Sequence, residues 1–158
     1  YSAGRYVDAS FFQFFDCKFL EGNPATAFNN PNSLVITERT AEKFFHTSRN
    51  VIGKTIMVNN KDAYTITGLL KDNPENSSIR YAWLAPLSNY TTLEHLARWD
   101  FCNLETFIIT TPEANLAEMK TQLDKMISAN PASANNSAAI LNMKDWRLRN
   151  EFKNGVQS

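Results

Sequence analysis

A chain of 158 residues that is 43% hydrophobic and carries eleven phenylalanines can bury a genuine core, which excludes disorder for most of its length. Sixteen basic residues balance sixteen acidic ones and neither sign clusters, so no nucleic-acid face and no polybasic membrane segment is present. The apolar runs are only a few residues long, too short to span a bilayer.

In chain order, Asp8-Ala9-Ser10 ahead of Phe11, Phe12, Phe14 and Phe15 predicts a short capped helix with an aromatic inner face. Adjacent rings such as Phe14 and Phe15 cannot share one narrow stripe, so one of them is expected at the surface. Cys17 to Leu20 reads as a short strand or extended exit, and Gly22 to Asn32, rich in Asn, Pro and Ala, as a surface loop. Ser33 to Thr37 is a compact β run, after which Thr37 can cap a helix through Ala41, Phe44 and Phe45. Gly53 marks the turn out. Lys54 to Val58 and Ala63 to Lys71 alternate in polarity around Asn59-Asn60-Lys61-Asp62, the clearest hairpin signal in the chain.

A polar loop, Asp72 to Ser78, precedes the apolar segment Tyr81 to Leu87, where Pro86 argues for an edge or terminating strand. Thr91 to Trp99 is read as a short helix and Leu104 to Thr110 as a strand. Asn115, with Glu118 three residues on, opens the strongest helix, whose stripe is Leu116, Met119, Leu123, Met126 and Ile127. Asn130-Pro131 ends it. Pro131 to Ser137 reads as a small-residue linker, Ala139 to Met143 as a final strand, and Trp146 to Phe152 as a last ordered piece before a polar tail. Interspersed helices and strands with an antiparallel hairpin favour an α+β fold.

Chemistry-bearing motifs are absent from the sequence. His46 and His95 have no Cys, His or carboxylate at metal-ligand spacing, and the five glycines form no phosphate-cradling loop. Neither Cys17 nor Cys102 sits in a recognisable nucleophile context; together they permit one disulfide without demanding it. No catalytic, cofactor-binding or metal residue is predicted, and no cofactor. The surface singled out for contact is the loop Asp72 to Ser78 with its neighbouring aromatics, namely Asn73, Glu75, Asn76, Tyr81 and Trp83. Exposed loops on a rigid scaffold carry recognition, and aromatic side chains anchor it.

Taken in series, the pieces resemble a known family. Val7-Asp8 with Phe11-Phe12 and Phe14-Phe15, then Leu20-Glu21-Gly22-Asn23-Pro24, resembles the opening of MacB-like periplasmic core domains. The strand-then-helix run Ser33-Leu34-Val35-Ile36-Thr37-Glu38 through Ala41, Lys43, Phe44 and Phe45 is similar to that family's. So are Ile52-Gly53-Lys54-Thr55-Ile56, Tyr64 to Asp72, and Asn73-Pro74-Glu75-Asn76-Ser77-Ser78. Trp146-Arg147-Leu148 and Glu151 to Gly155 resemble the segment before the family's next membrane helix. The chain departs from the pattern at His46, where Gly is usual, and at Val51, where Pro is common.

The resemblance implies a non-catalytic extracytoplasmic domain of a MacB/FtsX-type ABC transporter permease, set between its first and second membrane helices. It implies a mostly β, Sabre-like lobe over about residues 20–100 and a partial porter-like βαβ lobe over about 101–145, with the family's opening strand and helix upstream of Tyr1. Residues 1–158 are then a fragment of one periplasmic core domain, anchored on the periplasmic side of a Gram-negative inner membrane by helices outside this chain. The implied partners are a periplasmic adaptor, lipoprotein or peptide substrate, and a cytoplasmic ATPase reached through the membrane helices; a homodimer of the intact permease is open to it. Two other readings stand beside this one. A free-standing extracellular module for peptide or glycan predicts a pronounced apolar pocket. A hydrolase predicts convergent carboxylates or a Cys–His pair in a cleft.

Overall fold

In the computed structural model, Ser33–Thr37 and Asp62–Leu70 run side by side in the middle of a six-stranded sheet, and every residue of the shorter strand is buried. The structure describes residues 3–58, 61–90, 104–133 and 135–144, together with the backbone of 152–153 and 156–157. The chain divides into two compact units, Tyr1–Leu93 and Glu94–Ser158.

The first unit runs β1 (Gly4–Val7), α1 (Phe11–Phe14), β2 (Phe19–Gly22), β3 (Ser33–Thr37), α2 (Glu38–Phe45), β4 (Thr55–Val58), β5 (Asp62–Leu70) and β6 (Trp83–Pro86), then a 3₁₀ turn at Leu87–Asn89. The strand order is β1-β6-β3-β5-β2, with β4 also on β5. The long β5 thus has β3 along one edge, while β4 pairs with its first half and β2 with its second half on the other.

Side-chain alternation along β3 is kept in phase with β5 by an irregularity. Leu34 pairs with Ile66 but Val35 pairs with Gly68, so Thr67 is the extra residue. Its hydroxyl donates to the Ala27 carbonyl at 2.7 Å, which gives the bulged residue a partner. The shift puts Leu34, Ile36, Ile66 and Leu69 in one cluster with Ala41 of α2, Val51 and Tyr64. On the opposite face Phe19 and Val35 close over Gly68, where a Cβ would lie 2.8 Å from the Phe19 ring. Phe12 of α1 meets Phe19 edge-on at 5.1 Å, so α1 and α2 cover opposite faces of the sheet.

Helix α2 begins as the sequence predicts, with the Thr37 hydroxyl accepting from the Thr40 amide. It ends on His46, whose backbone adopts the left-handed conformation (φ 54°) while its N–H donates to the Glu42 carbonyl. Glycine would take this conformation without the strain of a Cβ. The following loop is held by Glu21, whose carboxylate accepts from the Asn50 and Val51 amides at 2.6 and 3.3 Å. Val51, at the other departure position, is fully buried.

Several expectations change. Ser10 precedes α1 but its side chain does not cap it; the Asp8 carboxylate turns back to the Ser10 amide instead, and two-residue Asx bonding replaces the predicted cap. Strand β1 has no counterpart in the sequence reading. It is four residues long and its partner β6 is remote and parallel, so no local turn signal announces it. Pro86 does terminate β6, but that strand lies between β1 and β3 and is not an edge.

In the second unit, α3 (Leu116–Ser128) forms with Asn115 as its cap, the side-chain oxygen accepting from the Ala117 and Glu118 amides. A 3₁₀ turn at Pro131–Ser133 follows. The segments 104–110 and 139–143 are not strands. A short apolar run supplies a buried face but no ladder partner, and among the described residues neither segment has one. Where the last ordered piece is expected to give way to a polar tail, Phe152–Lys153 (β7) pairs antiparallel with Val156–Gln157 (β8). The predicted helix at Thr91–Trp99, with His95, lies outside the described residues, as do Cys102 and Trp146 to Glu151. Among the described residues no helix is long and apolar enough to cross a membrane.

Candidate functional site

The predicted contact loop borders a groove of about 310 Å³ between the exit of α1 and the chain entering β6. Its apolar walls are Phe11, Phe15, Cys17, Pro74, Ile79 and Tyr81. Asp16, Lys18, Lys71 and Asp72 stand around it.

Local chemistry builds each wall. Phe11 is buried at the start of α1 and packs on Phe15 with ring centroids 4.5 Å apart. Phe15 leaves the helix in extended conformation, and the Cys17 amide then donates to the Phe15 carbonyl, which turns the chain toward β2. Tyr81 meets Phe11 edge-on at 5.9 Å, and its hydroxyl lies 3.3 Å from the Cys17 sulfur. Burial pushes the Cys17 thiol and the Tyr81 phenol up from their ordinary ionisation ranges; the Tyr81 hydrogen bond only partly opposes this for Cys17. The pair is therefore a neutral thiol beside a neutral phenol. It is not the thiolate that nucleophilic chemistry needs. Cys17 is a free thiol.

The loop is fixed at both ends. Asp72 accepts from the Arg39 amide at 3.0 Å, placing a carboxylate at the positive N-terminus of α2. The Asn73 side chain donates to the Tyr81 carbonyl at 2.6 Å, tying the start of the loop to its end. Within it, the Ser77 amide donates to the Pro74 carbonyl, and the Ser77 hydroxyl donates to the Ile79 carbonyl at 2.7 Å. Arg80 folds back onto the Glu75 and Ser77 carbonyls. Loops closed by such bonds hold a shape and present their tips.

Of the five predicted contact residues, Asn73 and Tyr81 come together in the groove, half-buried. Glu75 and Asn76 are exposed at the loop tip. Trp83 is elsewhere. Its ring lies across Gly4 of the neighbouring strand, where a Cβ would come within 1.9 Å of it, and it meets Tyr6 edge-on at 5.4 Å. The sequence reading put Phe11 on the aromatic inner face, left open which of Phe14 and Phe15 lies at the surface, and gave Cys17 no part in a contact surface, and so did not find this wall of the groove. The Phe14-Phe15 doublet was the available signal: Phe14 is exposed and Phe15 lines the wall. Among the described residues, no three His, Cys, Asp or Glu side chains are grouped to hold a metal.

No curated protein matches the chain. Among solved structures, it superposes with a TM-score of 0.60 on a domain assigned to a permease protein of Porphyromonas gingivalis, at 23% identity over 77% of this chain and 56% of that one. The periplasmic region of MacB from Actinobacillus actinomycetemcomitans gives a TM-score of 0.50 at 14% identity, over 78% of this chain and 54% of that one. These likenesses establish the mixed α+β fold, and the chain spans about half the length of the structures it matches. The model of the MacB-like periplasmic core domain matches residues 2–126. With that match over most of its length, the chain belongs to the MacB-like periplasmic core domain family, the periplasmic domains of ABC transporter permeases.

Proposed function

We propose that this chain is the non-catalytic part of a permease that passes ATP-driven motion to a substrate or partner protein in the periplasm. The membrane helices that would couple it to a cytoplasmic ATPase, in a Gram-negative inner membrane, lie outside this chain. Within it, about 20–100 serves as the Sabre-like lobe and about 101–145 as part of the porter-like lobe. The partner is an adaptor, a lipoprotein or a peptide substrate, met by Asn73, Glu75, Asn76 and Tyr81.

The observation that supports the contact surface most directly is the bracing of the loop. Asp72 holds it to α2 and Asn73 holds it to Tyr81, while Glu75 and Asn76 remain exposed at the tip. A surface that must move a partner has to be stiff where it joins the scaffold and accessible where it touches. The neutral Cys17–Tyr81 pair argues in the same direction, against bond chemistry in the groove.

The test uses the full-length permease with its ATPase in cells. Changing Glu75→Lys together with Asn76→Ala should leave ATP hydrolysis intact and reduce transport by roughly tenfold, as loss of contacts worth about 1.4 kcal/mol would. Transport unchanged by both substitutions would remove the loop tip from the contact surface. Transport that survives replacement of the whole domain by a flexible linker would remove the motion-transmitting reading itself.

A further inference from the structure

We propose that Tyr90 is a latch: its ring holds the edge strand β1 in place, so that the segment leaving the first unit controls the docking of the strand that enters it. This device is independent of whether the loop Asp72 to Ser78 meets a partner. Strand β1 is weakly held by its backbone. It is the outermost strand of the sheet, pairs with β6 alone among the described residues, and contributes four residues to a parallel ladder. Parallel pairs are slightly less stable per residue than antiparallel ones, and local opening is cheapest where little buried surface holds an element. Tyr6, the side chain that anchors this strand, is only half-buried.

The chain path brings the latch to the strand. β1 and β6 run in the same direction and their register ends together, with Val7 opposite Pro86. Leu87–Asn89 then forms the 3₁₀ turn, closed by the Tyr90 amide donating to the Leu87 carbonyl at 2.9 Å. That turn places the Tyr90 ring against Tyr6, stacked with centroids 5.3 Å apart and planes 24° apart. Trp83, from the other end of β6, meets the same Tyr6 ring edge-on at 5.4 Å. One side chain of β1 is thus held from both ends of its neighbouring strand.

Asn89 fixes the turn to the core. Its side-chain amide donates to the Tyr64 hydroxyl at 3.1 Å and to the Pro31 carbonyl. Tyr64 is buried and belongs to the central cluster, the part of a fold that opens last. Tyr90 itself is 43% exposed, so its contribution lies in the stacked pair and is local to β1. Beyond Tyr90 the chain runs on to the second unit, which begins at Glu94. Displacing the chain there withdraws the ring from Tyr6 and leaves β1 to its short ladder and Trp83. Undocking β1, in turn, takes from Tyr90 the ring it stacks on. The coupling between entry and exit is reciprocal.

The test is hydrogen exchange read by mass spectrometry on the full-length permease, comparing peptides that span Gly4–Val7 with peptides that span Ser33–Thr37. Tyr90→Ala should speed exchange in β1 by about threefold to tenfold, as loss of one aromatic pair allows, with β3 unchanged. Tyr90→Phe keeps the ring and should keep the protection. In a Tyr6→Leu background, where the partner ring is gone, Tyr90→Ala should add nothing to the exchange of β1. Unchanged exchange in β1 on Tyr90→Ala would overturn the latch. So would equal acceleration of β1 and β3, which marks a general loss of stability, and so would additive effects of the Tyr6 and Tyr90 substitutions.

Discussion

The two units of this chain differ in how much apolar surface they bury. In Tyr1–Leu93, Leu34, Ile36, Ile66 and Leu69 are fully buried from solvent. In Glu94–Ser158, no hydrophobic side chain among the described residues is buried, and α3 exposes Leu116 by 48% and Met126 by 62%. Yet α3 is the helix that the sequence announces most strongly. Capping and periodicity are local and act inside one segment, whereas burial needs a second surface of matching shape. A strong helix signal is therefore no measure of a core.

This contrast can be broken by paired substitutions. Ile36→Ala should lower stability by about 2–5 kcal/mol, while Met126→Ala should change it by no more than ~0.5 kcal/mol, both read from urea unfolding. Equal losses would mean that α3 is packed as deeply as β3. Gly22 stands next in size. At φ 89°, and with a Cβ 2.4 Å from the Thr67 carbonyl oxygen, Gly22→Ala should cost about 2–3 kcal/mol in the same assay. An unchanged midpoint would remove the bulged junction of β2 and β5 from the features that specify the first unit.

Asn115→Ala sharpens the comparison from the other side. It should weaken α3 by about 1 kcal/mol, seen as faster hydrogen exchange at the Ala117 and Glu118 amides, with exchange in β3 and β5 unchanged. His46→Gly should instead raise the stability of the first unit by about 0.5–1 kcal/mol, because it relieves a left-handed residue with a Cβ; a lower thermal midpoint would contradict this.

The smallest effect is with pH. The Ser10 amide holds the Asp8 carboxyl below its ordinary range, so its contribution is present at neutral pH and fades as pH falls through the lowered value. Carbon-detected titration of Asp8 should place it below an exposed aspartate, and Asp8→Asn should remove that part of the acid sensitivity.

What the sequence made legible follows the same division. The span Ser33–Thr37, the Thr37 cap and the β4–β5 hairpin could be read because each is specified within about a dozen residues. The groove was half legible. Its loop was visible as a polar, Pro-containing stretch, but the wall made by Phe11, Phe15 and Cys17 comes from α1, which the fold brings beside Tyr81 from far along the chain. Trp83 looked like a surface anchor only because Gly4, the residue that gives its ring room, belongs to a strand with no signal of its own. Segments 104–110 and 139–143 read as strands from their apolar residues, but pairing is a property of two segments and cannot be read from one.

The β1–β6 ladder has a mechanical consequence. The two strands are parallel, with Gly4 opposite Trp83 and Val7 opposite Pro86, so the chain enters this ladder at one end and leaves it at the other. A pull between Gly4 and Pro86 is then directed along the strands and in opposite senses on each. It stretches the bridging hydrogen bonds together, in shear, and cannot unzip them one at a time from an end. Within the first unit, the ladder that holds its opening strand is therefore loaded in shear along its length.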